Sequence, residues 1–235
     1  MKKSEHKKFL NLGDYLLTDE YDHKYELLDY ITKYDKNVCW IFGDSFMDFY
    51  YGYIRHYLEK YNKKAVILAR GGTGVEYSYL KFKEVEELIK PYHTVLAGIS
   101  ASARSYFNGF HVNSNLKINT PTRHWLNPPV EPTQRFKQAV ELYYLELLNL
   151  EDREVIFEGL VENFYQRIIN RTKKAVIIPT VHTYKALDNQ PSIMNVLDKW
   201  MVEGNIPATH NHWLEDKEFE DTFYKHYDNI FEIWG

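Results

Sequence analysis

Four short, unbroken apolar runs constrain this chain more than any other feature: Val38-Cys39-Trp40-Ile41-Phe42, Ala65-Val66-Ile67-Leu68-Ala69, Thr94-Val95-Leu96-Ala97-Gly98 and Ala175-Val176-Ile177-Ile178-Pro179. A strand with one wet face alternates apolar and polar side chains. A run that is apolar throughout is buried on both faces, as the strands of a parallel sheet are. Stretches with helical spacing separate the runs. Residues 47–61 follow the first, a helix reaching about residue 89 follows the second, and helices over 134–148 and 153–171 precede the fourth. Such alternation predicts βαβ units in an α/β fold with a mostly parallel sheet, whose right-handed crossovers set all strand C-terminal ends on one edge.

The remaining segments are placed around that frame. Residues 1–36 are rich in Tyr, Asp, Glu and Lys and are read as an N-terminal cap, with Tyr25, Leu27, Leu28 and Ile31 on one amphipathic helix. From residue 99 to 133 the pattern breaks into a loop carrying Asn108, Gly109, Asn113, Asn115, Pro121, Asn127, Pro128 and Pro129. That is much longer than an ordinary βα connection, and loops of such length are usually functional or disordered. With the two helices after it, 99–172 reads as a long insertion after the third strand. A helix over 193–202, a loop through Gly204 and Pro207, and a helix starting near Trp213 close the chain. At 235 residues, one domain spanning 1–235 is expected.

Composition narrows the partners. With 29 Lys and Arg against 33 Asp and Glu, the net charge of −4 argues against nucleic acid, and no basic stripe offsets it. Cys39 is the single cysteine, so no intrachain disulfide forms, and its apolar surroundings predict a buried structural thiol. The polar opening through Lys8 has no apolar segment of signal-peptide length after it, and no stretch approaches the roughly 20 apolar residues of a membrane span. A soluble protein is therefore expected, cytoplasmic by default, with no membrane partner. Twenty Tyr and five Trp serve either as half-buried packing residues or as an aromatic binding surface.

Three strand ends and one late segment carry candidate chemistry. Gly43-Asp44-Ser45 follows the first strand and opens a helix, which puts the Ser45 hydroxyl beside free backbone N–H groups. The same position suits an N-cap formed by Asp44 or Ser45. Met47 stands where the second glycine of a G-x-S-x-G elbow would be, so that arrangement is absent. Gly71-Gly72-Thr73-Gly74 ends the second strand, where glycine lets backbone N–H groups approach a ligand oxygen. It lacks Gly-Lys-Ser/Thr, and Glu76 and Tyr77 break G-x-G-x-x-G, which weakens a phosphate-binding reading. Gly98-Ile99-Ser100-Ala101-Ser102-Ala103-Arg104 adds small polar groups and a cation. His210 and His212, in Thr209-His210-Asn211-His212-Trp213, are the candidate bases, with His182 and His124 further from the pattern. No third ligand accompanies the His-x-His pair, so no metal is expected.

Together these segments resemble the SGNH/GDSL hydrolase superfamily, in particular its divergent, phage-type members, over residues 37–231. The resemblance implies a three-layer α/β/α fold of SGNH or flavodoxin-like type, with Ser45 as nucleophile and Gly74 as oxyanion-hole donor. His212 matches the family histidine, with His210 as runner-up. Two positions depart from the family pattern: Ser100 replaces the block asparagine, and Thr209 stands where the histidine's aspartate belongs. Ser100 and Arg104 match the phage-type variant. The resemblance implies an esterase or deacetylase acting on small acyl esters, such as O-acetyl groups of a polysaccharide, with no cofactor. The aromatic loop over 106–125 is then either a sugar-facing wall or packing. The alternative is a non-catalytic carbohydrate-binding or virion-assembly protein of the same fold. A homo-oligomer or a virion-associated location suits either.

Overall fold

A computed structural model describes residues 15–17, 24–44, 46–47, 52–70, 73–100, 102, 104–107, 110–112, 118–119, 132–180, 187, 193 and 217–235. The apolar runs form strands: β2 is Val38–Phe42, β3 Lys64–Ile67, β4 Thr94–Ile99 and β8 Lys174–Pro179. With β1 (Tyr15–Leu17) they form a five-stranded sheet in the order β1-β3-β2-β4-β8, and every pairing is parallel. All five residues of β2 are buried, as the unbroken run requires. The α/β class and the parallel sheet thus hold.

Side-chain alternation along the strands feeds two separate cores. Cys39, Ile41, Ile67, Leu96 and Ile178 point to one, where they meet Tyr53 and Tyr57 of α2 (Gly52–Lys60) and Phe223, Tyr227 and Phe231 of α6 (Lys217–Phe231). Trp40, Phe42, Val66, Val95 and Ile177 point to the other. There they meet α1 (Lys24–Tyr34), α3 (Val75–Val85) and α5 (Leu150–Arg171). Phe157, Val161, Phe164 and Ile168 recur on one face of α5 and are each at most 1% exposed, so this helix covers the sheet rather than decorating it. Burying such a side chain contributes about 1.5–3 kcal/mol. Cys39 is fully buried, and burial pushes its thiol up to about 12.

Some elements differ from the sequence reading. Within the segment read as a cap, β1 (Tyr15–Leu17) adds a parallel edge strand beside β3. Three residues are too few for a periodicity signal, and only pairing makes them a strand. The segment read as a loop contains β5 (Ser105–Phe107), β6 (Phe110–Val112) and β7 (Ile118–Asn119), an antiparallel sheet of its own. The helix expected over 134–148 is α4 (Gln134–Leu142) followed by a π-helical stretch, Tyr143–Leu147. Thr133 caps α4 by accepting the Phe136 amide. Asn149 caps α5 by accepting the Glu151 and Asp152 amides, so α5 starts earlier than the expected residue 153. Of the helix expected over 193–202, only Ile193 lies among the described residues. Among those residues no helix is long and apolar enough to cross a membrane.

Candidate functional site

The chain passes from β2 to β3 on one side of it, then crosses to β4 on the other. Strand order reverses between β2 and β4, and in open parallel sheets the crevice beyond the strand C-termini at such a reversal is where ligands bind. Gly43-Asp44 leaves β2 there and Ser100 leaves β4.

Gly43 makes the exit from β2 possible. Its φ is +147°, and an added Cβ would stand 2.4 Å from Met47 Cγ. Its carbonyl accepts the Arg70 amide at 2.9 Å and the Thr73 hydroxyl at 3.2 Å, which ties the ends of β2 and β3 together. Asp44 follows, fully buried. Its Oδ1 accepts the Phe46 amide at 3.0 Å and its main-chain oxygen accepts the Met47 amide at 3.1 Å, so the two residues after Ser45 are tied back to Asp44. That first bond closes an Asx turn rather than the helix N-cap expected of Asp44, since the described helix spans Gly52–Lys60.

The other carboxylate oxygen, Oδ2, accepts from Arg104 Nη1 at 2.6 Å. The same nitrogen reaches the Thr73 carbonyl at 3.1 Å and the Ser100 hydroxyl at 3.2 Å, and the Ser100 hydroxyl in turn bonds the Asp44 carboxylate. Burial pushes the Asp44 carboxyl above its ordinary value, while the Arg104 charge and the Phe46 and Ser100 donors pull it back. Without Arg104 a buried carboxylate here would be uncompensated.

Gly74 sits at the N-terminus of α3 with no side chain to offer its first amides. An added Cβ would meet the Arg104 carbonyl oxygen at 2.8 Å and Arg104 Cβ at 3.1 Å. The structure therefore brings together three of the expected site residues, Gly74, Ser100 and Arg104, around Asp44. Ser45 and His212 lie outside the described residues, as do His210, Thr209, His182 and His124. Among the described residues no group of His, Cys, Asp and Glu could hold a metal ion.

Two participants escaped the sequence reading. Thr73, fully buried, links the ends of β2 and β3 through its hydroxyl and reaches Arg104 through its carbonyl. Arg153, in the first turn of α5, donates from Nε to the Ser102 carbonyl at 2.7 Å and from Nη2 to the Arg104 carbonyl at 3.0 Å. A signal for Arg153 existed: a cation in a helix's first turn opposes the macrodipole and so needs a partner elsewhere.

Compared with known proteins, the chain matches no family model, no curated protein and no solved structure.

Proposed function

We propose that this chain is a serine esterase or deacetylase of the SGNH hydrolase kind, a three-layer α/β/α domain of flavodoxin-like strand order acting through Ser45 and His212. The observation that carries the reading is the cluster of Arg104 and Ser100 around the buried Asp44 at the strand-order reversal. It anchors the chain directly before Ser45, and Gly74 and Ser100 stand at the next two strand ends in the order in which the family blocks occur.

In this reading the Ser45 hydroxyl attacks the ester carbonyl carbon while His212 takes its proton. Backbone N–H groups of Ser45 and Gly74 hold the oxyanion. Collapse of the intermediate expels the alcohol, to which His212 returns the proton, and water then cleaves the acyl-enzyme by the same steps. Arg104 has a defined part here. A lone buried carboxylate beside a developing oxyanion would oppose it, and pairing with Arg104 neutralises Asp44. The substrate class is a small acyl ester, with O-acetylated polysaccharide as the natural form.

One observation favours the non-catalytic alternative. The Ser100 hydroxyl is engaged by Asp44 and Arg104, inside the cluster rather than as an oxyanion donor. The readings separate on a fluorophosphonate probe and a short-chain aryl ester, applied to wild type, Ser45→Ala and His212→Ala. The esterase reading expects labelling and turnover in wild type that both variants lose. Equal turnover by all three would sink it, and glycan retention surviving Ser45→Ala without any labelling would favour the binding protein.

A further inference from the structure

We infer that Arg153, on the helix that leads into β8, is the positioning residue that holds Arg104 against Asp44. The segment between β4 and β5 that carries Arg104 is short and has to place one guanidinium on a buried carboxylate. Arg153 grips that segment at two points, the carbonyls of Ser102 and Arg104. Its own position is fixed from three sides. Nη2 lies 3.4 Å from Glu76 Oε1 on α3, Nη1 lies 3.5 Å from the Tyr143 hydroxyl in the π-helical stretch, and its guanidinium carbon stands 4.5 Å from the centre of the Phe157 ring. The side chain is 11% exposed.

The grip is specific to arginine. Two carbonyls two residues apart are met by separate nitrogens of one planar fork, which a lysine ammonium cannot reproduce. The Arg104 carbonyl oxygen that Arg153 holds is also the atom that a Cβ on Gly74 would meet first, at 2.8 Å. Arg104 is thus clamped at its backbone between α5 and the α3 N-terminus, which leaves its head group aimed at Asp44, Thr73 and Ser100. The two cations stay apart electrostatically because each faces its own carboxylate, Glu76 for Arg153 and Asp44 for Arg104.

This inference rests on the esterase reading only for one of its two readouts. The first is the titration midpoint of the Asp44 carboxyl, followed by NMR on protein labelled with ¹³C at aspartate and assigned with Asp44→Asn. Arg153→Met and Arg153→Lys are compared with wild type, and Arg104→Met marks full loss of the pair. Both Arg153 variants are expected to raise the Asp44 midpoint by about one pH unit, because a displaced Arg104 no longer favours the charged form. The second readout is the rate of Ser45 labelling by the fluorophosphonate, expected to fall about ten- to a hundredfold in both variants.

If Arg153→Met fails to fold, Arg153→Lys, which keeps the charge and an apolar stem over Phe157, carries both measurements. An Asp44 midpoint unchanged in the variants overturns the inference, and full recovery by Lys overturns the requirement for a fork. Failure of wild type to label removes the esterase reading alone. The midpoint then decides the role of Arg153: a rise upholds it, and no change ends it.

Discussion

Asp44 and Arg104 form one unit, because the carboxylate has no exposure and the guanidinium is its charge partner at 2.6 Å. Removing the cation alone leaves a buried charge without compensation, at a cost of about 3–5 kcal/mol. Arg104→Met is therefore expected to lower the urea midpoint strongly, while the double variant Asp44→Asn with Arg104→Met recovers most of the loss. A loss in the double variant equal to the sum of the losses in Asp44→Asn and Arg104→Met would show that the two residues are not coupled. Arg104 at the end of the third run was legible in the sequence. That its partner is Asp44, sixty positions earlier, was not, since no local spacing relates them.

At the scale of elements, β2 and β4 are joined at their C-terminal ends through one methionine. A Cβ on Gly43 would meet Met47 Cγ at 2.4 Å, and one on Gly98 would meet the same atom at 2.2 Å. Each substitution to alanine is expected to cost about 2–3 kcal/mol, from strain or overpacking. The two differ in origin. In a Met47→Ala background the thermal unfolding penalty of Gly98→Ala should shrink, because its main obstacle is gone. Gly43→Ala should stay costly there, since φ of +147° disfavours any side chain. A similar drop in both penalties would refute the distinction. The β5–β6 pairing had a readable signal: Asn108-Gly109 is all that separates Phe107 from its partner Phe110, and Asn-Gly is the strongest short hairpin marker. Long-loop statistics hid it.

Across the whole molecule, the edge opposite the candidate site has its own polar cluster. His93, with no exposure, accepts at Nδ1 from the Trp40 indole at 3.0 Å and from the Lys90 amide at 3.2 Å. Its proton therefore sits on Nε2, 3.6 Å from Asp35. Burial lowers the His93 pKa below its ordinary 6.5, against the opposing pull of Asp35. The unfolded chain thus binds a proton that the folded chain refuses, and stability declines as pH falls below 6.5. Hydrogen bonds from Lys90 and Tyr92 hold the half-buried Asp35 at about 2, so its contribution fades only between 3.8 and about 2. Denaturant midpoints at about pH 7, 6 and 5, ~1 unit steps across the histidine range, should fall in wild type and flatten in His93→Gln. An equal decline in the variant would remove His93 from the account.

The unbroken apolar runs determined the α/β class, the parallel sheet and the edge at which Gly43, Gly74 and Ser100 stand. Burial on both faces is recorded in a few consecutive residues, and neighbouring helices carry the 3.6-residue period that completes the unit. Tertiary structure alone decided that Tyr15–Leu17 is an edge strand, that Arg104 reaches Asp44, and that Arg153 reaches across from α5 to hold it. Those contacts join residues far apart in the chain, and their energy exists only once the sheet has set the strand ends side by side.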